Sequence, residues 1–119
     1  MKKDNILRIK SYEFALLCIK LFQNLSKNKE EYILSKQILR SGTSIAATIE
    51  EAIGGQSTKD FLHKLSISYK EARETHYWLR LLRDSAYISK EESIVIIEKC
   101  EELPRIIGSI QKTTKARNS

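Results

Sequence analysis

Two glutamates and an arginine are the residues of this 119-residue chain whose spacing suits polar chemistry. Glu71 and Glu74 lie one turn apart on one predicted helix, and Arg40 lies on the helix before it. If these helices run antiparallel, Arg40 is level with Glu71, and Gln37 is level with Glu74. The cluster is then either a functional polar site or a structural ion pair that fixes the helix register. We favour the structural ion pair.

Neither a metal centre nor a catalytic nucleophile is supported by the sequence. Di-iron bundles need a Glu-x-x-His motif on each of two helices, but neither His63 nor His76 stands three residues after a glutamate. His76 also lacks a serine, cysteine or aspartate at a spacing suited to a catalytic pair. Cys18 and Cys100 lie in apolar segments, as buried thiols do. We therefore predict no metal, no cofactor and no enzymatic activity.

Positive charge is concentrated at the two ends of the chain. The net charge is +6, and residues 11–111 contribute 14 basic and 14 acidic side chains, which cancel. The excess comes from residues 1–10 and 112–119, each with a net charge of +3. Basic side chains bind nucleic-acid phosphates by releasing counterions. The candidates for such contacts are Lys2, Lys3, Arg8, Lys10, Lys112, Lys115 and Arg117.

A second basic patch follows one face of a predicted helix. Its members share helical spacing and include one aromatic residue: Lys70, Arg73, Tyr77 and Arg80. Cations beside an aromatic ring suit phosphate contact and base stacking. On a monomer, however, ordinary solvated surface explains both basic features equally well.

Four helices are predicted to position these residues. Apolar and small side chains recur every seven residues, with short loops between the segments. This pattern is typical of an all-α, antiparallel up-down-up-down four-helix bundle, formed here by residues 1–119 as a single domain. The predicted helices span about residues 9–25, 29–53, 58–85 and 89–114. Their expected N-terminal caps are Asn28 with Glu31, Ser57, and Ser89 with Glu92.

The predicted topology places the ends of the chain together. In four alternating helices, the start of the first and the end of the last lie at the same end of the bundle. We call this end, with the seven terminal basic residues named above, the basic pole. Pro104 interrupts the fourth helix and is expected to kink it. No segment has the roughly 18–20 apolar residues of a membrane span, which indicates a soluble, cytoplasmic protein.

Apolar residues outnumber those that one bundle core needs. Residues 94–97 are apolar on all sides of the fourth helix, and Tyr69, Tyr77 and Trp78 lie off the main stripe of the third. A monomeric bundle needs roughly three apolar positions in seven on each helix. The surplus predicts self-association.

Two separated motifs, residues 40–51 of the predicted second helix and residues 59–82 of the third, contain small and charged residues at fixed spacing. They resemble the bacterial four-helix-bundle family encoded in 23S rRNA intervening sequences. The accessory variability proteins of diversity-generating retroelements are related to this family. In the predicted second helix, the matching residues are Arg40, Ser41, Thr43, Ser44, Ile45, Ile49 and Glu51. Thr48 stands where the family usually has Asn, and Ala52 where it usually has Gly. The third helix matches through residues 59–61, 64–65 and 70–82.

The resemblance implies a homopentamer of basic four-helix protomers. For the retroelement relatives, it also implies nucleic-acid binding and partnership with a reverse transcriptase. We therefore predict a non-catalytic, sequence-tolerant protein that binds RNA or DNA through the basic pole, with RNA favoured. The alternative is a scaffold that docks a polymerase-type partner, such as a reverse transcriptase, and has no direct nucleic-acid role. In that case the second basic patch and Trp78 would matter more than the termini.

Overall fold

The computed structural model describes residues 2–117, apart from the side chain of Asp4. These residues form α1 (Lys3–Asn28), α2 (Leu34–Ile53), α3 (Thr58–Asp84) and α4 (Lys90–Arg117). Each helix packs against the next, and α4 closes the ring against α1, in a body of 49 × 22 × 22 Å. The predicted all-α, antiparallel four-helix bundle is confirmed. No helix within the described part of the chain is long and apolar enough to cross a membrane.

The core follows the seven-residue repeat of each helix. It is built from fully buried side chains that all four helices contribute, among them Phe14, Cys18, Leu25, Ile38, Ile45, Leu65, Leu79, Leu103 and Ile107. Burying one such large apolar side chain contributes about 1.5–3 kcal/mol to folding. Packing along this repeat fixes which face of each helix points to solvent, and hence which residues are available for binding.

Small residues let α2 approach its neighbours closely. Toward α3, the Thr75 hydroxyl donates a hydrogen bond to Ser41 Oγ at 2.8 Å, and the Ser68 hydroxyl donates to the Ile45 carbonyl at 3.0 Å. Toward α1, a Cβ atom added at Gly42 would lie 2.4 Å from Cys18 Sγ. The small residues of α2 therefore allow close approach on two sides of this helix.

The helix ends differ from the sequence prediction mainly around the first loop. Helix α1 begins at Lys3 rather than near residue 9, and α2 begins at Leu34 rather than at residue 29. Asn28 does not cap α2, because it is the last residue of α1 and its side-chain amide donates to Asn24 Oδ1 at 2.7 Å. The start of α2 is instead capped by Glu31, whose carboxylate accepts three backbone hydrogen bonds.

The caps predicted for the last two helices are present. Ser57 Oγ accepts from the Asp60 N–H at 3.0 Å, and Ser89 Oγ accepts from the Glu92 N–H at 3.1 Å. Helix α4 continues through Pro104 to Arg117 and so exceeds its predicted end near residue 114. The longer α1 and α4 carry the terminal basic residues on ordered helix at the basic pole.

Candidate nucleic-acid interface

The start of α1 and the end of α4 lie side by side at the basic pole. The Lys3 ammonium donates a hydrogen bond to Ser109 Oγ at 2.7 Å, which links the two helices. Because α3 begins at the same end of the bundle, the exposed Lys59 of its first turn also belongs to this region. Cations from both ends of the chain and from α3 therefore lie at one end of the bundle.

Five of the seven predicted contact residues remain available for an external anion. They are exposed, and none forms an ion pair with another described side chain: Lys2, Lys3, Lys112, Lys115 and Arg117. Lys115 and Arg117 lie in the last turn of α4. There they also face the partial negative charge of the helix C-terminus, which stabilises the helix end.

The other two predicted contact residues already have partners. Arg8 Nε lies 2.7 Å from Glu50 on α2, and Lys10 Nζ lies 2.7 Å from Glu102 on α4. The hydrogen bond between Lys10 and Glu102 raises the pKa of the lysine and lowers that of the glutamate. Since a phosphate would have to compete with these carboxylates, Arg8 and Lys10 tie α1 to its neighbours more than they extend the basic surface.

The second basic patch lies on the outer surface of α3. Lys70, Arg73, Tyr77 and Arg80 are all exposed. The Arg80 guanidinium carbon lies 5.8 Å from the centroid of the Tyr77 ring, a cation–π arrangement. The rings of Trp78 and Tyr77 pack in an edge-to-face arrangement, with their centroids 5.1 Å apart. The patch is therefore an exposed surface of three cations around one exposed aromatic ring.

A groove of about 350 Å³ separates this patch from α4. Its lining includes Arg73, His76 and Arg80 from α3 and Glu101 from α4. His76 Nε2 lies 3.0 Å from Glu101 Oε2, so the imidazole contacts a carboxylate. The groove therefore has two arginines on its α3 side and one carboxylate on its α4 side.

Arg40 lies beside both predicted glutamate partners on the α2–α3 surface. Its guanidinium contacts Glu74 directly and lies 3.7 Å from Glu71, and it also donates to Gln37 Oε1 at 3.0 Å. The Trp78 indole N–H donates to Glu74 Oε2 at 2.8 Å. Because the Arg40 side chain is 52% exposed, the cluster lies at the bundle surface rather than inside it. Its geometry links α2 to α3 at a defined register.

The titratable groups of the core offer no exposed reactive atom. Burial raises the pKa of both thiols, that of Cys100 to about 12, so each stays protonated near neutral pH. The Cys100 thiol donates to the Ala72 carbonyl at 3.5 Å. Among the described residues, no group of three or more histidine, cysteine, aspartate or glutamate side chains is placed to hold a metal ion.

Sequence reasoning missed an apolar stripe on the outer face of α1. Ile9, Tyr12 and Leu16 are 46%, 61% and 44% exposed, although they lie on the same helix as the buried Phe14 and Cys18. Their spacing of three and four residues was a signal that could have revealed the stripe. Ile94 and Val95, which the sequence singled out, are also exposed, at 64% and 55%.

The sequence and the fold are similar to those of known proteins. A model of the 23S rRNA-intervening sequence proteins matches residues 3–109. The fold is similar to that of a crystal structure from Bacteroides thetaiotaomicron VPI-5482, a protein of unknown function from the S23 ribosomal protein family. The two share 46% sequence identity with a TM-score of 0.92, over 93% of this chain and 99% of that one. No curated protein matches the chain.

Proposed function

This chain belongs to the family of 23S rRNA-intervening sequence proteins, and we propose that it is a non-catalytic protein that binds RNA through its basic pole. It grips phosphates and does not read the base sequence. The family is named after intervening sequences in an RNA, which favours RNA over DNA as the first ligand to test. The exposed surface at the pole carries cations, which suit contact with phosphates, and phosphate contacts carry no base-sequence information.

One observation carries the proposal: unpaired cations from both chain ends converge at the pole. Lys2 and Lys3 come from the start of α1, and Lys112, Lys115 and Arg117 come from the end of α4. Cations that lack a carboxylate partner bind phosphates without first breaking an ion pair. Their proximity lets one RNA segment contact several of them at once, which adds weak contacts together.

Phosphate binding of this kind must weaken as salt rises. Each phosphate that a cation neutralises releases condensed counterions, and the logarithm of the binding constant falls by about 0.7–0.9 per contact for each tenfold rise in salt. For about five contacts, affinity should fall on the order of a hundredfold between about 50 mM and about 200 mM salt. A flat salt response would contradict the mechanism.

The test compares two triple variants that lose the same charge. Lys112→Gln/Lys115→Gln/Arg117→Gln removes three cations of the pole. Lys27→Gln/Lys36→Gln/Lys90→Gln removes three exposed cations near the opposite end of the bundle. Fluorescence anisotropy with a labelled RNA hairpin measures the affinity of each protein at two salt concentrations.

We expect the pole variant to lose at least tenfold in affinity and to show a shallower salt dependence. The control variant should stay within about threefold of the wild type, because its cations lie away from the contact surface. Equal losses in the two variants would mean that net charge alone attracts the RNA, and the proposal would be wrong. Substitution is preferable to removing residues 1–8, since that deletion also removes the buried Leu7.

A scaffold that docks a protein partner is the second candidate. Exposed apolar side chains cluster around the two loops at the end opposite the basic pole: Tyr32, Ile33, Tyr87, Ile94 and Val95. The Lys29 ammonium bonds to the Tyr87 carbonyl and holds these loops together. If the pole variant binds RNA as the wild type does, this apolar end becomes the surface on which to search for a protein partner.

We also propose that copies of the chain assemble into a homopentamer, as the family resemblance implies. The apolar stripe of α1, formed by Ile9, Tyr12 and Leu16, is the surface that a second copy would cover. Assembly would place several basic poles on one particle. RNA affinity would then rise through multivalency without any new type of contact.

A further inference from the structure

The outer face of α3 carries an unbroken row of exposed residues that starts at the basic pole. Successive members are four and three residues apart, which is the spacing of one helix face. All seven are exposed. This row, named here the α3 track, consists of Lys59, His63, Ser66, Lys70, Arg73, Tyr77 and Arg80.

The α3 track carries cations at its pole end and along its second half. It includes four lysines or arginines and no acidic residue, and no described side chain forms an ion pair with any of those four cations. The exposed residues of the other helices differ from this row in charge and polarity. The exposed residues of α4 mix acidic Glu91, Glu98 and Glu101 with basic Lys99 and Arg105, and those of α1 include the apolar Ile9, Tyr12 and Leu16. An anionic polymer that leaves the pole therefore meets a favourable path along α3.

The length of the α3 track suits a short nucleic-acid segment. Lys59 lies in the first turn of α3, and Arg80 lies in its last two turns. At a rise of 1.5 Å per residue, the track extends about 30 Å from the pole. Single-strand sites on other folds accept about 4–16 nucleotides. A straight row of this kind can follow the phosphate backbone of one strand. Such contact does not require a groove or a concave surface on the protein.

Tyr77 makes the α3 track more suitable for single-stranded than for duplex RNA. Its side chain is 46% exposed, the Arg80 guanidinium carbon lies 5.8 Å from its ring centroid, and the Trp78 ring lies 5.1 Å away at 63°. Trp78 is itself anchored by its hydrogen bond to Glu74. Unpaired bases stack on such rings, but bases inside a duplex already stack on one another. The neighbouring 350 Å³ groove provides space beside Arg73 and Arg80 for an unstacked base.

We infer that the α3 track binds a single-stranded RNA segment that continues from a structured region held at the basic pole. Lys70, Arg73 and Arg80 contact its phosphates, and Tyr77 stacks on one of its bases. This inference rests on the proposed function, because the pole supplies the anchor from which the strand enters the track.

Three RNAs test the inference: a blunt hairpin, the same hairpin with a uridine tail of about ten nucleotides, and the hairpin with an abasic tail of equal length. Affinities are measured by fluorescence anisotropy at fixed salt. For the wild type, the uridine tail should raise affinity about tenfold over the blunt hairpin. The abasic tail should give a smaller gain, since it offers phosphates without a base for Tyr77.

Variants of the α3 track should lose the gain from the tail and keep the affinity for the blunt hairpin. Lys70→Gln/Arg73→Gln/Arg80→Gln tests the phosphate contacts, with Lys27→Gln/Lys36→Gln/Lys90→Gln as the control of equal charge. Tyr77→Ala should bring the uridine tail down to the level of the abasic tail, whereas Tyr77→Phe should keep the difference because it retains the ring.

The outcomes separate the two proposals. Two outcomes overturn the inference and leave the pole standing. In the first, the uridine tail does not raise the affinity of the wild type. In the second, the track variant loses as much affinity for the blunt hairpin as for the tailed hairpin. A tail effect that survives in Lys112→Gln/Lys115→Gln/Arg117→Gln, with unchanged hairpin binding, overturns the pole as the anchor and supports only the single-strand contacts of the track. A wild type that binds none of the three RNAs contradicts both.

Discussion

Glu31 controls the start of α2 although it lies outside the helix. Its carboxylate accepts hydrogen bonds from the N–H groups of Ile33, Leu34 and Ser35 at 3.2, 3.0 and 2.7 Å, and the residue is only 9% exposed. Burial opposes its ionisation, but the three N–H donors outweigh burial and lower the pKa of Glu31. A charged acceptor also suits the positive end of a helix.

Replacing Glu31 with glutamine should therefore destabilise the fold at neutral pH. The amide keeps one acceptor oxygen and loses the charge, which should cost about 1–2 kcal/mol in the free energy of unfolding. Urea unfolding followed by circular dichroism measures this difference. Glu30→Gln, an exposed neighbouring substitution, should change stability by less than about 0.5 kcal/mol.

The effect of Glu31→Gln should depend on pH with a definite sign. Because folding lowers the pKa of Glu31, the carboxylate stabilises the native state fully above its unfolded pKa, and the benefit is lost as pH falls through the folded pKa. The gap between wild type and variant should be constant near neutral pH and shrink below about pH 4. A gap of the same size at about pH 3 would show that the charge is not involved.

At the scale of the elements, Gly42 sets how closely α1 and α2 approach. A Cβ atom at this position would lie 2.4 Å from Cys18 Sγ and 2.9 Å from Cys18 Cβ. Both residues are buried, and Cys18 sits deep in the core, so the side chain cannot swing into solvent. Any side chain at position 42 must push the two helices apart.

Gly42→Ala should destabilise the bundle, whereas the same substitution at Gly108 should not. Overpacking a core contact costs about 1–3 kcal/mol. At Gly108 an added Cβ meets nothing within 4 Å, and alanine favours a helix interior by about 1 kcal/mol over glycine. Thermal and urea unfolding of both variants should give shifts of opposite sign. Equal stabilisation by both would mean that the helices separate at little cost.

The helices were predictable where sequence pattern and tertiary packing agree. Ser57 and Ser89 combine a capping side chain with the first residues of an apolar repeat, and both cap their helices. Asn28 shows why the first loop was not predictable. Its spacing to Glu31 fits a capping pair. However, α1, which buries Leu25 in the core, continues as a helix to Asn28. Packing of α1 therefore decided against the local signal.

At the scale of the whole molecule, the up-down-up-down order of the four helices is enough to place the terminal cations at one pole. Four alternating helices bring α1 and α4 together, as the bond between Lys3 and Ser109 shows. Which cations remain unpaired was not predictable, since the pairing of Arg8 with Glu50 depends on how α1 and α2 are rotated about their axes. The exposure of the α1 stripe was not predictable for a related reason, because α1 carries two apolar faces and the sequence pattern does not show which of them the other helices cover.

The α1 stripe leads to a prediction about assembly. Tyr12 and Leu16 are 61% and 44% exposed, so Tyr12→Glu/Leu16→Glu should leave the isolated bundle folded. If a second copy covers this stripe, the variant would bury two unpaired carboxylates, which costs several kcal/mol. Light scattering should then show a lower mass than for the wild type. Lys36→Glu, which changes the net charge equally at another exposed site, should keep the wild-type mass.

RNA binding by the same variant tests whether assembly and function are coupled. Tyr12→Glu/Leu16→Glu leaves every unpaired cation of the basic pole in place, so each protomer keeps its own phosphate contacts. Dissociation removes only the combination of several poles on one particle, and the affinity for a long RNA should fall far more than that for a short hairpin. A variant that stays assembled, or a wild type that is already monomeric, would show that the α1 stripe does not join copies. The single pole would then have to account for all RNA binding.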